Sequence, residues 1–251
     1  MTTEMSTPEL VKFDSVHCYT YSPKEAHCIY KEIFEDKCYD IDNLPSSPVV
    51  IDAGANIGLF SLFLKQRYPS AKILAFEPAP LSFDALSRNV KAQNLQDIQA
   101  FNIGLSHKTG SARLTYLPNL PGNSTLRPEE KQKLYMASIK KHGKDVADSY
   151  FGTSYELDIK LERLSTVLDN QKNLTTIDLL KVDVEGVELD VLRGIDDEHW
   201  KLVQNVIVET WEESGDRVEI ENLLKSKDFA IRTEAAPWDP NFYMIIAKRN
   251  D

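Results

Sequence analysis

The residues best suited to chemistry lie in one glycine-containing segment, Val49-Val-Ile-Asp52-Ala-Gly54-Ala-Asn56-Ile-Gly58-Leu-Phe. Its apolar start predicts a strand, and the apolar run after Gly58 predicts a helix. Glycine permits a sharp turn that lets a ligand approach the backbone, and the free amides of a helix start donate hydrogen bonds. The G-x-G-x-x-G fingerprint would need glycine where Asn56 and Leu59 stand. The segment therefore predicts a ligand-binding turn and disfavours a nicotinamide-dependent oxidoreductase.

Carboxylates follow two further predicted strands. Glu77 ends the strand at residues 72–77, and Asp183 and Glu185 follow the strand that ends at Val182. A carboxylate at a strand end can accept two hydrogen bonds from a ribose diol, each worth about 1.5–3 kcal/mol. Together with the glycine turn, Glu77 predicts a ligand that carries a nucleoside and needs no pyrophosphate.

The elements that must position these residues alternate between strand and helix. Apolar runs at residues 49–52, 72–77, 98–103, 177–182 and 205–209 predict strands, and amphipathic segments at 57–67, 81–94, 187–194 and 216–226 predict helices. Such alternation predicts an α/β fold with a parallel sheet, helices on both faces and right-handed crossovers. Residues 229–232 and 242–247, on either side of a proline-containing turn, predict a C-terminal antiparallel hairpin.

Two segments lie outside this alternation. Residues 1–47 predict an N-terminal extension or cap, and residues 48–251 predict a single domain. Strand-like segments at 111–116 and 155–161 enclose a polar insertion at about 117–156, for which we expect a helix within 129–141 and a role as a lid. Residues 127–148 are locally basic, with six basic against four acidic side chains. An alternative is that this basic segment docks an acidic carrier protein, in an interaction protein without catalytic activity.

Composition narrows the classes of protein. The chain has 251 residues and a formal net charge of −10, enough chain for a core that buries roughly 70–75% of the unfolded surface. The negative net charge disfavours binding to nucleic acid and favours binding of a cationic ligand. No apolar run approaches the roughly 20 residues of a membrane span and no signal sequence is visible, so we expect a cytoplasmic protein. Three cysteines without a CxxC pair predict reduced thiols rather than disulfides or a zinc site.

Four segments resemble the FkbM-type group of S-adenosylmethionine-dependent methyltransferases: residues 49–61, residues 76–78, Asn102 with Gly104, and residues 180–194. The resemblance implies a Rossmann-like class I methyltransferase fold, with a seven-stranded, mostly parallel sheet that has helices on both faces and ends in an antiparallel hairpin. It also implies S-adenosyl-L-methionine as cofactor. A sulfonium cation is well served by carboxylates at strand ends.

The same resemblance implies a set of cofactor-binding residues. Four of them, Asp52, Gly54, Asn56 and Gly58, would surround the methionine part, Glu77 with Pro78 would hold the ribose, and Asn102 would lie near the adenine. Asp183 would also contact the cofactor, and Tyr39, in the segment at 32–39 ahead of the first strand, would close over it.

Methyl transfer is an in-line displacement, so the protein must align the acceptor and, for a hydroxyl, remove a proton. We expect Asp183 or Glu185 to act as base or to orient the acceptor, with Lys181 as electrostatic partner. Alternatively, Lys181 pairs with these carboxylates and shapes the loop. A Mg²⁺ site at Asp183, Glu185 and Glu209 is conceivable, but the spacing does not support it, and we expect no metal.

The expected acceptor is a hydroxyl on a small natural product, sugar or related metabolite, either free or tethered to a carrier protein. The sequence leaves the oligomeric state open. Several other side chains are expected at the surface without a catalytic role: Glu188, Asp190, His107 and His199. Trp211 is expected in the core or in the wall of the acceptor pocket.

Overall fold

A computed structural model describes residues 7–41 and 43–250 of the chain. The strands are β1 (Glu9–Lys12), β2 (His17–Thr20), β3 (Val49–Ala53), β4 (Lys72–Phe76), β5 (Ile98–Phe101), β6 (Gly104–Leu105), β7 (Gly110–Tyr116), β8 (Tyr155–Glu162), β9 (Leu179–Val182), β10 (Asn205–Trp211), β11 (Phe229–Ala235) and β12 (Phe242–Arg249). The α-helices are α1 (Pro23–Tyr30), α2 (Leu59–Arg67), α3 (Pro80–Ala92), α4 (Pro128–His142), α5 (Lys144–Phe151), α6 (Leu164–Leu168), α7 (Glu188–Arg193), α8 (Asp197–Trp200) and α9 (Arg217–Ser226).

Seven strands form the central sheet in the order β11-β12-β10-β9-β3-β4-β5. The strands from β10 to β5 are parallel, whereas β12 is antiparallel to both β10 and β11. The predicted α/β class, the mostly parallel seven-stranded sheet and the C-terminal hairpin are therefore confirmed. The hairpin strands run further than expected, to Ala235 and Arg249.

Each face of the sheet has its own core. On one face, Ile51, Leu180 and Val208 pack with buried residues of α6, α7, α8 and α9. On the other, Val50 and Ile207 pack with α2, α3 and residues of the N-terminal segment between Val16 and Ile41. Burial on both faces explains why the inner strands are near-continuous apolar runs.

The N-terminal segment is more structured than the sequence indicated. Strands β1 and β2 pair as an antiparallel ribbon, and α1 continues into a π-helical turn at Lys31–Glu35. Asn89 of α3 holds the ribbon, since its Oδ1 accepts from the Tyr19 amide at 2.6 Å and its Nδ2 donates to the Tyr19 carbonyl at 3.0 Å. The segment thus forms part of the second core, and its last residues reach the carboxyl edge of the sheet.

The insertion after β5 begins and ends in a small second sheet, in the order β6-β8-β7. Between β7 and β8 lie a 3-10 turn at Pro121–Asn123 and the helices α4 and α5. The expected helix within 129–141 is confirmed by α4, which begins with a proline, has acidic residues in its first turn and has basic residues in its last, as the helix dipole favours. Helix α5 was not predicted. None of the described helices has the length and apolar character needed to cross a membrane.

Candidate functional site

A cavity of about 660 Å³ opens at the carboxyl edge of the central sheet. Its floor is formed by the residues that follow β3, β4 and β9 and by Glu209 of β10. Its walls are formed by the segment from Glu25 to Tyr39, the turn at Pro121–Asn123 and the facing sides of α4 and α5. This is the edge at which open parallel sheets bind ligands. Of the predicted site residues, eight line the cavity: Tyr39, Gly54, Asn56, Glu77, Pro78, Lys181, Asp183 and Glu185. Asp52 and Gly58 are buried behind this lining, and Asn102 is exposed outside the cavity.

The turn after β3 is shaped by its neighbours as well as by any ligand. Gly54 has φ +79°, and a Cβ on it would lie 1.7 Å from the carbonyl oxygen of Asp183. Gly58 has φ +88°, and a Cβ there would lie 2.5 Å from the Leu86 side chain. The two glycines are thus required by the close approach of the loop after β9 and of α3. The side-chain oxygen of Asn56, a cavity-lining residue, is buried and has no hydrogen-bond partner among the described residues.

Glu77 lies at the end of β4, and each of its carboxyl oxygens accepts one hydrogen bond from a backbone amide. Its Oε2 accepts from the Asn56 amide at 2.9 Å and its Oε1 from the Ala79 amide at 2.8 Å. Burial raises the pKa of this carboxyl to about 7. A carboxylate can accept about four hydrogen bonds, so lone pairs remain for a diol. Asn102 donates to the carbonyl oxygens of Glu77 at 2.9 Å and Pro78 at 3.0 Å, and so supports this turn from outside the cavity.

Lys181 connects the ends of β3 and β9. Its side chain is almost wholly buried, and its Nζ lies 2.8 Å from the carbonyl oxygen of Gly54 and 3.3 Å from one oxygen each of Asp52 and Asp183. Burial disfavours the ammonium, but the two carboxylates outweigh it and raise the pKa of Lys181. Asp52 is fully buried and also accepts from Ser61 at 3.0 Å. This arrangement matches the alternative in which Lys181 shapes the loop.

Asp183 and Glu209 meet at the hydroxyl of Tyr39. The Tyr39 oxygen lies 2.9 Å from Oδ2 of Asp183 and 2.7 Å from Oε2 of Glu209. Val182 and Val208 are partners across β9 and β10, so the residues that follow them stand side by side at the sheet edge. Sequence reasoning considered Glu209 solely as a metal ligand and missed this contact. Its place at the end of a strand next to β9 was the signal that could have revealed it.

Glu185 is held by the insertion. It forms an ion pair with Lys131 of α4, and its backbone carbonyl accepts from the Thr125 hydroxyl at 2.6 Å. Burial raises the pKa of Glu185, and Lys131 opposes that shift. Arg127 at the start of α4 lies 2.8 Å from Asp216, beside α9. Three of the six basic residues of the segment, Arg127, Lys131 and Lys144, therefore form ion pairs within the chain.

Two expectations about surface residues are wrong. Glu188 is buried because the first turn of α7 faces the preceding loop, where its Oε1 accepts from the Gly186 amide at 2.9 Å. Burial raises its pKa to about 7. His199 is also buried, with its Nδ1 2.9 Å from the Ser165 hydroxyl. His107 is partly exposed, 3.2 Å from Asp190.

Metal-ligating side chains come together elsewhere. Within residues 7–41 and 43–250, Asp169, Glu198 and His199 are the group whose ligand atoms lie within 4.8 Å of one another. Asp183, Glu185 and Glu209 do not form such a group in that part of the chain. Their carboxyl groups instead contact Lys181, Lys131 and Tyr39.

The cavity fits a nucleoside with a positively charged centre. Six acidic side chains of the sheet edge and of α1 with its π turn line it, Glu25, Glu32, Glu77, Asp183, Glu185 and Glu209. Two lysines also line the cavity. Lys181 forms an ion pair with Asp183, and Lys141 lies on α4. The free oxygen of Asn56 and the remaining lone pairs of Glu77 offer hydrogen-bond acceptors for hydroxyl or amino groups. Trp211 packs against Phe242, at the rim of the same edge.

Comparison with known proteins gives an independent line of evidence. Residues 52–231 match the family model of the methyltransferase FkbM domain. The chain is 55% identical over 255 residues to methyltransferase sdnD of Sordaria araneosa, with 98% of each chain covered. It is 31% identical to the 31-O-demethyl-FK506 methyltransferase FkbM of Streptomyces tacrolimicus, with 85% of each covered. A crystal structure of methyltransferase FkbM from Methylobacillus flagellatus aligns with a TM-score of 0.54 at 16% identity, over 86% of this chain and 47% of that one, and shows a similar fold.

Proposed function

Because this chain belongs to the FkbM methyltransferase family and uses S-adenosylmethionine as cofactor, we propose that it methylates a hydroxyl oxygen on a small natural product, sugar or related metabolite. Family membership excludes the nicotinamide-dependent oxidoreductase as an interpretation. The name of the Streptomyces relative places its methyl group on an oxygen, which supports an oxygen acceptor here.

The observation that carries this proposal is the position of Asp183. Its side chain is 26% exposed, lines the cavity, and stands between the ammonium of Lys181 and the hydroxyl of Tyr39. Both contacts are made to Oδ2, which leaves the second oxygen, Oδ1, to accept a proton. Glu185 is less accessible, since 18% of its side chain is exposed and its carboxyl group is held by Lys131 of α4. Asp183 is therefore the residue that takes the proton of the acceptor hydroxyl.

The residues of the glycine turn and of β4 would hold the cofactor. Bound S-adenosylmethionine supplies a methyl group on a positively charged sulfur. Glu77 would accept hydrogen bonds from the ribose hydroxyls, and Asn56 offers its unpartnered oxygen to the same ligand. Asp183, with Tyr39 and Glu209 beside it, lies at the adjoining part of the cavity, where its carboxylate would stabilise the positive charge before transfer.

The insertion would cover the acceptor. Leu126, Leu134, Ala137 and Phe151, from the segment that leads into α4 and from the two helices, line the cavity wall opposite the sheet edge. An apolar wall above a polar floor favours an acceptor with a hydrocarbon body and an accessible hydroxyl. Closure by α4 and α5 would exclude water, and the segment before β3, with Tyr39, would cap the cofactor side.

The test is a methyl-transfer assay with purified protein, labelled S-adenosylmethionine and a panel of apolar alcohols, phenols, glycosides and matching amines. We expect labelled ethers from hydroxyl acceptors. Asp183→Asn lowers kcat by about 10²–10⁴-fold and leaves S-adenosylhomocysteine binding in place, whereas Glu77→Ala weakens that binding. Glu213→Gln, at an exposed position, is the matched control. Transfer to amines alone, or full activity of Asp183→Asn, would contradict the proposal.

A further inference from the structure

The hydroxyl of Tyr39 faces two carboxyl groups but has a single proton. Its oxygen is within hydrogen-bond distance of both Asp183, at 2.9 Å, and Glu209, at 2.7 Å. A phenol can donate one hydrogen bond and accept others. Two ionised carboxylates cannot both be satisfied by it, so one of the two carboxyl groups must carry a proton and donate to the phenol oxygen.

The surroundings decide which carboxyl group holds that proton. Asp183 has a cation beside it, since Nζ of Lys181 lies 3.3 Å from the same oxygen that faces Tyr39. Glu209 forms no ion pair with any residue that the structure describes. A charged group without a counter-ion is costly where it is partly withdrawn from water, as half-buried Glu209 is, whereas the protonated acid can donate its proton to a neighbour.

The carboxyl groups packed around Glu209 favour its neutral form. The N-terminal segment presents Glu32 and Cys38 as well as Tyr39, and the loop after β9 presents Asp183 and Glu185. Lys131 of α4 also lies near Glu209, but it is paired with Glu185, and Glu130 stands beside it on the same helix. Burial, followed by the charges of Asp183 and Glu185, raises the pKa of Glu209 well above its usual range. The pKa of Tyr39 is raised too, again chiefly by burial, so the phenol keeps its proton.

We propose that Glu209 is a neutral carboxylic acid that donates to the oxygen of Tyr39, so that Tyr39 donates its own proton to Asp183 and holds that residue ionised and oriented towards the acceptor. Tyr39 and Glu209 are then positioning residues, which act through Asp183. This inference rests on the proposed function for the role of Asp183, but the protonation of Glu209 stands on the contacts alone.

The arrangement gives each residue a distinct task. The acceptor hydroxyl passes its proton to the free oxygen of Asp183 as the new oxygen–carbon bond forms, and the sulfur keeps the electron pair of the bond that breaks. Because the Tyr39 bond is made to the other oxygen, Oδ2, it fixes the carboxylate plane without blocking the oxygen that reacts. A neutral Glu209 supports this bond without adding a third negative charge next to the cofactor.

The protonation state is tested by infrared spectroscopy on the full chain, with its glutamates labelled with ¹³C at Cδ and with S-adenosylhomocysteine bound. At neutral pH we expect the spectrum of the wild-type protein minus that of Glu209→Gln to contain the carbonyl band of a protonated carboxylic acid. The same subtraction with Glu213→Gln, at an exposed position, contains carboxylate bands alone. Absence of the acid band from the Glu209 difference would overturn the proposal, whether or not an acceptor has been found.

Kinetic measurements with an acceptor that the protein methylates test the positioning role. Tyr39→Phe keeps the ring that packs against Phe60 and lowers kcat by roughly ten- to hundredfold, the value of a hydrogen bond to a charged group. Glu209→Ala loses activity, and Glu209→Gln, whose amide can donate to Tyr39, regains most of it. Equal loss in the Glu209→Ala and Glu209→Gln variants, or an unchanged kcat in Tyr39→Phe, would contradict the positioning role.

Discussion

Nζ of Lys181 lies 2.8 Å from the carbonyl oxygen of Gly54, across 127 residues of sequence. Asp52 and Lys181 are partners across β3 and β9. The bond therefore joins the end of β9 to the turn that follows β3. An ammonium inside the sheet thereby fixes the position of the glycine turn and, through its second ion pair, of Asp183.

Removing that ammonium should destabilise the protein. Lys181→Met leaves Asp52, which is fully buried, without its counter-ion, and loss of one partner of a buried pair costs about 3–5 kcal/mol of unfolding free energy. Chemical denaturation measures the loss, and Lys160→Met, at an exposed site on β8, provides the control. Adding Asp52→Asn to Lys181→Met should recover part of the loss; if it does not, the uncompensated charge is not its cause.

Gly54→Ala should abolish cofactor binding by moving the backbone. The new Cβ would lie 1.7 Å from the Asp183 carbonyl, so β3 and the loop after β9 must separate. Gly215→Ala is the matched control. Gly215 has φ +80° but open space around it, so this substitution introduces backbone strain of about 1–2 kcal/mol and no steric clash. Calorimetric titration with S-adenosylhomocysteine distinguishes them, and unchanged affinity in Gly54→Ala would contradict the close approach of the two segments.

Lys131→Gln should weaken acceptor binding more than cofactor binding. The substitution removes the ion pair by which α4 holds Glu185, and so loosens the helix over the acceptor side of the cavity. We expect KM for the acceptor to rise roughly ten- to hundredfold, as for a lost bond between charged groups, with little change in S-adenosylhomocysteine affinity. Lys140→Gln, exposed on the same helix, should leave both values unchanged. A parallel loss of both affinities would show that α4 supports the whole cavity.

Stability of the protein without cofactor should fall as the pH rises from about 4.5 to about 8. Burial raises the pKa of Glu25 to about 8 and those of Glu77 and Glu188 to about 7, all above the ordinary value of 4.5. Between these values the folded protein binds more protons than the unfolded chain, so the free energy of unfolding decreases with pH. The contribution is complete below the unfolded pKa and is lost as the pH passes the folded one.

Glu25→Gln should flatten this decline, because glutamine does not ionise and still accepts from the Gly122 amide as Glu25 does. Each pKa unit corresponds to about 1.4 kcal/mol, so a single buried glutamate accounts for a few kcal/mol at most. Thermal unfolding of both proteins between pH 5 and pH 8 provides the measurement, with Glu213→Gln as the exposed control. A wild-type stability that rises over this interval would contradict the assignment.

Sequence reasoning located the sheet and most of the cavity because both follow from short-range patterns. Apolar runs separated by amphipathic helices define parallel strands, and parallel strands place the residues after their carboxyl ends at one edge. That geometry brings Glu77, Asp183 and the turn around Gly54 together without knowledge of any contact.

The contacts that it missed depend on long-range packing. Tyr39 meets partners 144 and 170 residues away. The strand end at Glu209 indicates that this residue lies beside Asp183, but no pattern near Tyr39 indicates its contact with either carboxyl group. Glu188 was misjudged because a carboxylate in a first helical turn is usually solvated, whereas here the loop at residues 184–186 folds back over it. The helix α5 is eight residues long and packs mainly against α4.

The position of β12 in the sheet also sets an order of assembly. This strand is synthesised after both of its neighbours, β10 and β11, yet it lies between them. Until Phe242–Arg249 leaves the ribosome, the backbone groups of β10 on that side have no partner, and such an edge invites pairing with other chains. Folding of the sheet therefore has to be completed after synthesis has passed β12. Cellular yield should accordingly depend on how well the nascent chain is shielded during that interval.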